Sequence, residues 1–351
     1  MKTSASIVSV GAITPVGLGA ADTAFSHRAA AAGMREAPLV DAEGERVTMC
    51  FLPTLDPRLT GADRASALAR RALTEAVTAL GPIARTLRAR LWLSLDEVFS
   101  ERGADGTPAA STFAAELTRS VALHLPELGF EVAARGPASP GYLLPSLCEA
   151  LNSGAIDAGI LGGVHTDYDP RRIAALSAAD RLFKPDNLDA LIPGESAAFV
   201  VLMRPDVARK YKLRSRAEIR AVATGYEKAR PDNDESAFQA SGLTAALRTA
   251  LAPLGELGLR AGWLMTDVTF ELFRHYEIQA SIVRIQKLLC EPQQVESPAQ
   301  RMGYLGAAAM PLHLVLAAEA HRRGFAPHPY GVSIAGSDAG ERAALLVSAP
   351  G

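Results

Sequence analysis

The sequence predicts an α/β fold of two similar halves, and three observations predict it. Apolar, β-branched runs of strand length alternate with longer stretches of helical spacing along the whole chain, which is the pattern of strands and helices packed in layers. Two helical stretches, 142–152 and 306–321, are apolar nearly all round. A helix without a polar face is a buried helix, and one buried within such a plan lies between sheets. The second half also repeats the order of the first. The expected architecture is a duplicated five-layer α-β-α-β-α arrangement, with a first half at 1–203, a linker at 204–216 and a second half at 217–351.

Each element follows from its residues. Residues 7–13 (IVSVGAI) alternate as a buried strand stopped by Thr14-Pro15 and Gly17. Asp22 is placed to cap a helix running towards Ala32. Residues 65–80 are Ala- and Leu-rich with helical spacing, 91–95 read as a strand, 101–107 (ERGADGT) as a polar loop, 112–123 as a helix and 130–134 as a short strand. The breaker-rich GPASPG at 136–141 turns the chain into the apolar helix 142–152, which Gly154 ends. Residues 157–163 and 196–203 are buried strands, and 204–216 lacks periodicity and carries six cations, as a surface linker would. In the second half, 219–224 and 262–265 are strands, 243–254 and 270–289 helices, and 306–321 the second apolar helix. Residues 332–335 and 343–348 form a closing hairpin.

Composition excludes several functions. Of 351 residues, 48% are hydrophobic and 21% charged, enough apolar surface for a packed core. A net charge of −2 speaks against a globally basic nucleic-acid binder. Cys50, Cys148 and Cys290 are odd in number and widely spaced, so neither a zinc cage nor a disulfide framework is expected. The most apolar stretch, 305–320, is shorter than the roughly 20 residues of a spanning helix and holds His313 and Glu319. The N-terminal apolar run ends at Thr14-Pro15 rather than at a small-residue cleavage site, so no signal peptide is expected and the expected compartment is the cytoplasm.

Four stretches carry a resemblance: IVSVGAITPVG at 7–17, LNSGAIDAGILGG at 151–163, RLFKPDNLDALIPGESAAFVVL at 181–202 and RMGYLGAAAMPLHLVLAA at 301–318. In this order and spacing they resemble the β-ketoacyl-acyl carrier protein synthases of the thiolase superfamily. The resemblance implies the thiolase-like form of the fold read above. It also implies a cysteine nucleophile at the start of the first buried helix and two histidines, and here the sequence departs. Counted back from Gly154, the nucleophile position falls on Pro137, or on Ser139 if the turn differs by two residues. The first histidine position falls near Asp267, the second on Tyr304, and Glu296 stands about where the family keeps a lysine. The stretch between Gly163 and Gly194 is short for the family, which trims a loop near the acyl channel.

A decarboxylative condensation needs a thiolate to hold the acyl chain and an electron-poor pocket for the enolate. An aspartate where a histidine should donate repels that enolate, so no condensation is expected. The family contains a precedent in chain-length factors, which lack the nucleophile, pair with an active synthase and shape its channel. The turn Arg135-Gly136-Pro137 looks similar to theirs, with Pro137 where they carry glutamine.

The remaining polar residues have plain readings beside functional ones. Asp267, Glu271, Arg274, His275 and Glu277 enter a helix together; they are a capped, ion-paired surface or the lining of a residual pocket. His165, Asp167 and Asp169 (HTDYD) leave a strand, with metal ligation as the lesser alternative. Ser139 sits off the G-x-S-x-G spacing and reads as turn chemistry. Tyr304 reads as a buried, hydrogen-bonded phenol, and the three cysteines as small core residues. The run Arg209–Arg216 is a solvated linker or a docking site for an acidic carrier protein, and Gly17-Leu18-Gly19 lacks the rest of a dinucleotide motif.

The expected protein is a catalytically silent, ketosynthase-like partner subunit or scaffold. It would pair through 130–134 and the turn around Pro137 with an active ketosynthase or an identical copy, and would need no cofactor, metal, nucleic acid or membrane. Two other classes stay open. One is a residual acyl-transfer, hydrolytic or decarboxylating enzyme using Ser139, Asp267, Glu271, Arg274, His275 or Tyr304; the other is a scaffold unrelated to acyl chains.

Overall fold

The structure, a computed structural model, describes residues 2–101, 108–231 and 237–351; from residue 102 onward the polar loop expected at 101–107 lies outside them. The first half runs β1 (Lys2–Ile13), α1 (Ala20–Arg28), β2 (Met34–Val40), β3 (Arg46–Cys50), α2 (Gly61–Thr78), β4 (Ala89–Leu95), α3 (Ala109–Ser120), β5 (Gly129–Ala134), α4 (Ser139–Asn152), β6 (Ala158–Thr166), α5 (Pro170–Ala178) and β7 (Glu195–Met203). A short helix, α6 (Pro205–Lys210), leads to the second half: β8 (Ala217–Tyr226), α7 (Ser241–Glu256), β9 (Ala261–Thr266), α8 (Leu272–Ile285), β10 (Leu289–Glu296), α9 (Ala299–Met302), α10 (Ala309–Arg323), β11 (Tyr330–Gly336) and β12 (Glu341–Ser348).

Ten strands form one sheet in the order β10-β9-β11-β12-β8-β1-β7-β6-β4-β5. The order reads alike outward from its centre, the mark of a duplicated plan. Two separate sheets were expected; β1 and β8 join them, pairing antiparallel with Ile7 opposite Ala217. The continuous sheet folds round two helices. Helix α4 packs on β4, β5 and β6 of the first half and on β8 and β12 of the second, while α10 packs on β1, β6 and β7 and on β8 and β11. Outside, α2 covers β1, β6 and β7, and α7 covers β8 and β12. The five layers are therefore present. Strand β7 (ESAAFVVLM) is buried along its whole length, because helices lie on both of its faces.

The two middle-layer helices differ. Residues 309–320 of α10 are all buried, including His313, whose Nδ1 meets Ser333 Oγ at 2.9 Å and whose pKa is pushed down to about 3 by burial. Helix α4, expected to be equally sealed, leaves Tyr142, Pro145, Ser146 and Ala150 half-buried and Glu149 exposed. The neighbouring β5 is an edge strand, so no further strand among the described residues covers that side.

Several sequence expectations need correction. Asp22 does not cap α1; Gly19 holds the cap position without a side-chain bond, and the Glu75 carboxylate accepts the Ala20 N–H at 3.0 Å instead. The run 204–216 is not structureless. Pro205 opens α6, Ala208 is buried, and Arg216 pairs with buried Glu319 at 2.7 Å. Helix α8 stops at Ile285, and the chain enters β10 at Leu289, inside the stretch read as helix. The β2–β3 hairpin, α5 and β10 carry weak periodic signals and were not anticipated.

Candidate functional site

The centre of interest is where the lead-in turn of α4 faces that of α10. A single 3-10 turn, Gly136–Ala138, precedes α4. Gly136 has φ +63°, and a Cβ there would stand 2.5 Å from Glu97 Oε1, so only glycine fits. Pro137 is buried and presents carbon alone. Ser139 Oγ accepts the Arg135 N–H at 2.9 Å, which closes the turn; no imidazole or carboxylate is hydrogen-bonded to this hydroxyl among the described residues. Ser337, from the turn between β11 and β12, accepts the Ala138 N–H at 3.1 Å and donates to Arg135 O. Backbone bonds thus occupy the hydroxyls around the expected nucleophile position.

Opposite, Tyr304 lies edge-on to His165 with ring centroids 5.0 Å apart, and its own N–H is held by Ile192 O at 2.8 Å. Burial, with the Asp338, Glu97 and Asp96 carboxylates, pushes the phenol well above its usual range. Tyr304 is therefore a neutral phenol and not a base at ordinary pH. His165 is fixed between two carboxylates: Nδ1 to Asp96 Oδ2 at 2.7 Å and Nε2 to Asp167 Oδ2 at 2.9 Å. Burial alone would lower its pKa, but Asp167 and Asp96 lift it to about 10. Burial would likewise raise the Asp167 carboxyl, and the charges of His165 and Arg172 hold it well below the carboxylate range instead. Arg172 Nε meets Asp167 Oδ1 at 2.8 Å, and Asp96 Oδ1 accepts the Ala307 N–H of the α10 turn at 2.9 Å. Glu97, beside Gly136, is pushed up to about 7 by burial and by Asp96.

A second network lies at the equivalent strand end of the other half. Asp267 follows β9; its Oδ1 meets Arg274 Nη2 at 2.9 Å and its Oδ2 accepts the Gly336 N–H at 2.8 Å. Arg274 also pairs with Glu277, and Glu277 Oε1 meets Arg342 Nε at 2.6 Å. All four side chains are buried, so each charge is balanced within the lattice, as buried ions must be. Glu271 belongs to a separate set: Arg181 pairs with it at 2.7 Å and with Asp338 at 2.6 Å. His275 stands apart, with Nε2 at 3.0 Å from Thr269 O. The structure thus unites Asp267, Arg274 and Glu277 through ion pairs, holds Glu271 in a separate set with Arg181 and Asp338, sets Tyr304 against His165, and leaves His275 and Ser139 outside. Glu296 joins His27 and Trp263 rather than this centre.

Among the described residues no nucleophile of the centre is hydrogen-bonded to a base, and the Asp338, Glu97 and Asp96 carboxylates face Tyr304. Among the described residues no group of three or more His, Cys, Asp or Glu could hold a metal ion. Of the HTDYD trio, His165 and Asp167 are ion-paired, and Asp169 caps α5 by accepting the Arg171 N–H at 2.7 Å. No helix of the described residues is long and apolar enough to cross a membrane.

Sequence reasoning missed partners that only the fold brings together. Asp96 and Arg172 complete the His165 cluster, and Arg64 forks onto Glu195 at 2.5 and 2.8 Å while lying 3.9 Å from the Tyr168 ring centre. Cys50 and Cys148 are buried as expected, and burial pushes the Cys50 thiol up to about 12. Cys290 is a correction: it is half-buried, with Sγ 3.3 Å from His328 Nε2, a neighbour 38 residues away in sequence.

Against known proteins, no family model matches the chain, and no curated protein matches it. Solved structures do. A chain of the ishigamide ketosynthase/chain length factor is similar with a TM-score of 0.78 at 18% identity, covering 100% of both chains. The ketosynthase from module 6 of the bacillaene synthase of Bacillus subtilis gives 0.78 at 14% identity, covering 99% of this chain and 72% of that one. A type II polyketide ketosynthase bound to a hexaketide, in complex with its acyl-carrier protein, gives 0.76 at 12% identity over 100% of both chains. At these identities the likeness shows the fold: this chain has the thiolase-like fold of the ketosynthases.

Proposed function

We propose that the chain is a non-catalytic partner subunit of an active ketosynthase in fatty-acid or polyketide synthesis. One observation carries the reading. The positions that the resemblance assigns to the condensing chemistry fall on Pro137 or Ser139, on Asp267 and on Tyr304; Asp267 is ion-paired to Arg274 and Tyr304 packs against His165, while the apolar framework is kept. The uncovered face of α4 beside edge strand β5 is the surface for pairing. There Glu131 accepts from Trp92 Nε1 at 3.1 Å and from Ser146 Oγ at 2.9 Å, holding strand and helix as one flat unit. Two identical silent chains would perform no chemistry, whereas pairing with an intact synthase gives the face a use. Arg209, Lys210, Lys212 and Arg214 are exposed after β7 and present a cationic surface to an acidic carrier protein.

The test is a turnover assay with malonyl-carrier thioesters. The chain alone should neither decarboxylate nor condense them. Pro137→Cys should not restore activity, because Asp267 and Tyr304 stand at the two positions where the resemblance implies histidines. Turnover by the unaltered chain that disappears in Asp267→Ala would sink the reading in favour of a residual enzyme.

A further inference from the structure

On the side of the molecule where α1 meets the end of α10, a crevice of about 550 Å³ opens between them and β10. That lies within the range of small-molecule sites. Its floor is apolar: Trp263, Leu316 and Ala320 are buried and line it. Two guanidiniums line it as well. Arg28 lies 4.8 Å from the Phe325 ring centre, and Arg301 Nη1 donates to His27 O at 3.2 Å. Neither is ion-paired with a carboxylate of the described residues. The one acid present, Glu296, is already engaged by His27 at 3.2 Å, by Trp263 Nε1 at 3.1 Å and by Gln294. Those bonds, against the effect of burial, hold its pKa below the ordinary value. His27 also lines the crevice and has its Nδ1 buried without a hydrogen-bond partner, an arrangement that wants a bound group or water.

We propose that this crevice binds a small amphipathic anion, with its carboxylate or phosphate on Arg28 and Arg301 and its apolar body on the Trp263–Leu316 floor. Two unpaired guanidiniums above an apolar floor recognise both parts at once, and a guanidinium fits either head group in bidentate fashion. The site is separate from the centre around Pro137 and does not depend on the pairing proposed above.

Isothermal titration of the full chain with octanoate, octyl phosphate, inorganic phosphate and octylamine tests it. Saturable binding of octanoate or octyl phosphate is expected, and whichever binds tighter names the head group. Octylamine should not bind, and inorganic phosphate should bind more weakly than octyl phosphate. Arg28→Gln, at an exposed residue whose loss does not threaten folding, should weaken binding about tenfold, the effect of one charge-assisted bond. Arg301→Lys keeps the charge but loses the fork and should also bind less tightly. Equal binding of octylamine, unchanged affinity in Arg28→Gln, or no saturable binding of either amphiphile would overturn the proposal.

Discussion

Helices α4 and α10 hold the same place in the two halves, yet only α10 is sealed. Both begin with a 3-10 turn opened by a glycine of positive φ, +63° at Gly136 and +46° at Gly306. Each turn is held by a residue of the opposite half: Ser337 binds Ala138 N–H, and Asp96 binds Ala307 N–H. Past the turns they diverge. Residues 309–320 are buried on every side, whereas α4 shows Tyr142, Pro145, Ser146 and Glu149 beside an edge strand. A duplicated plan should seal both helices or neither. The difference marks the first-half middle layer as unfinished within one chain, which is why the proposed partner is placed there.

The two charge networks sharpen that comparison, since the one beside the α4 turn is built of guanidiniums and the one beside the α10 turn of an imidazole. Glu277→Gln should have the largest effect. It leaves Arg342 in the core without its carboxylate and Arg274 with Asp267 alone, and should cost about 3–5 kcal/mol in urea denaturation. A loss below ~1 kcal/mol would mean that the second-half lattice does not hold its strand ends together. Leu314→Ala, fully buried in α10, should cost about 2–5 kcal/mol.

The His165 network predicts a pH dependence the guanidinium lattice cannot give. Its folded pKa of about 10 lies above the ordinary 6.5. Its contribution to stability should therefore be fully present below pH 6.5 and fade as pH rises to about 10. Denaturation midpoints measured across that window should fall in the parent chain and lie flatter in His165→Gln. An unchanged slope in the variant would assign the effect to other groups. The smallest effect belongs to the open face. Glu149→Ala should change the stability of the isolated chain by no more than about 0.5 kcal/mol, and a loss matching that of Leu314→Ala would show that face to be covered after all.

The layers were legible because periodicity reports burial. The all-apolar run of α10 and the strand SAAFVVLM could hardly be anything else. Helix α4 misled because Tyr142 and Pro145 read as apolar whether they meet a sheet or an empty edge. At the site, Pro137, Asp267 and Tyr304 were found by alignment to the resemblance, and their side-chain chemistry was readable at once. Their partners were not. Asp96, Arg181 and Asp338 come from three loops and Arg172 from helix α5, and they meet only when the strand ends are brought side by side. The basic run looked like linker because its helix is only six residues long and has no room for a period.

Native mass spectrometry of the purified chain, alone and mixed with an intact ketosynthase captured with it from its own cells, decides whether the chain pairs with a synthase. A one-to-one complex with the synthase, lost when Tyr142 on the open face of α4 is changed to Asp, is the predicted result. A homodimer or monomer that takes up neither synthase nor carrier protein would contradict it.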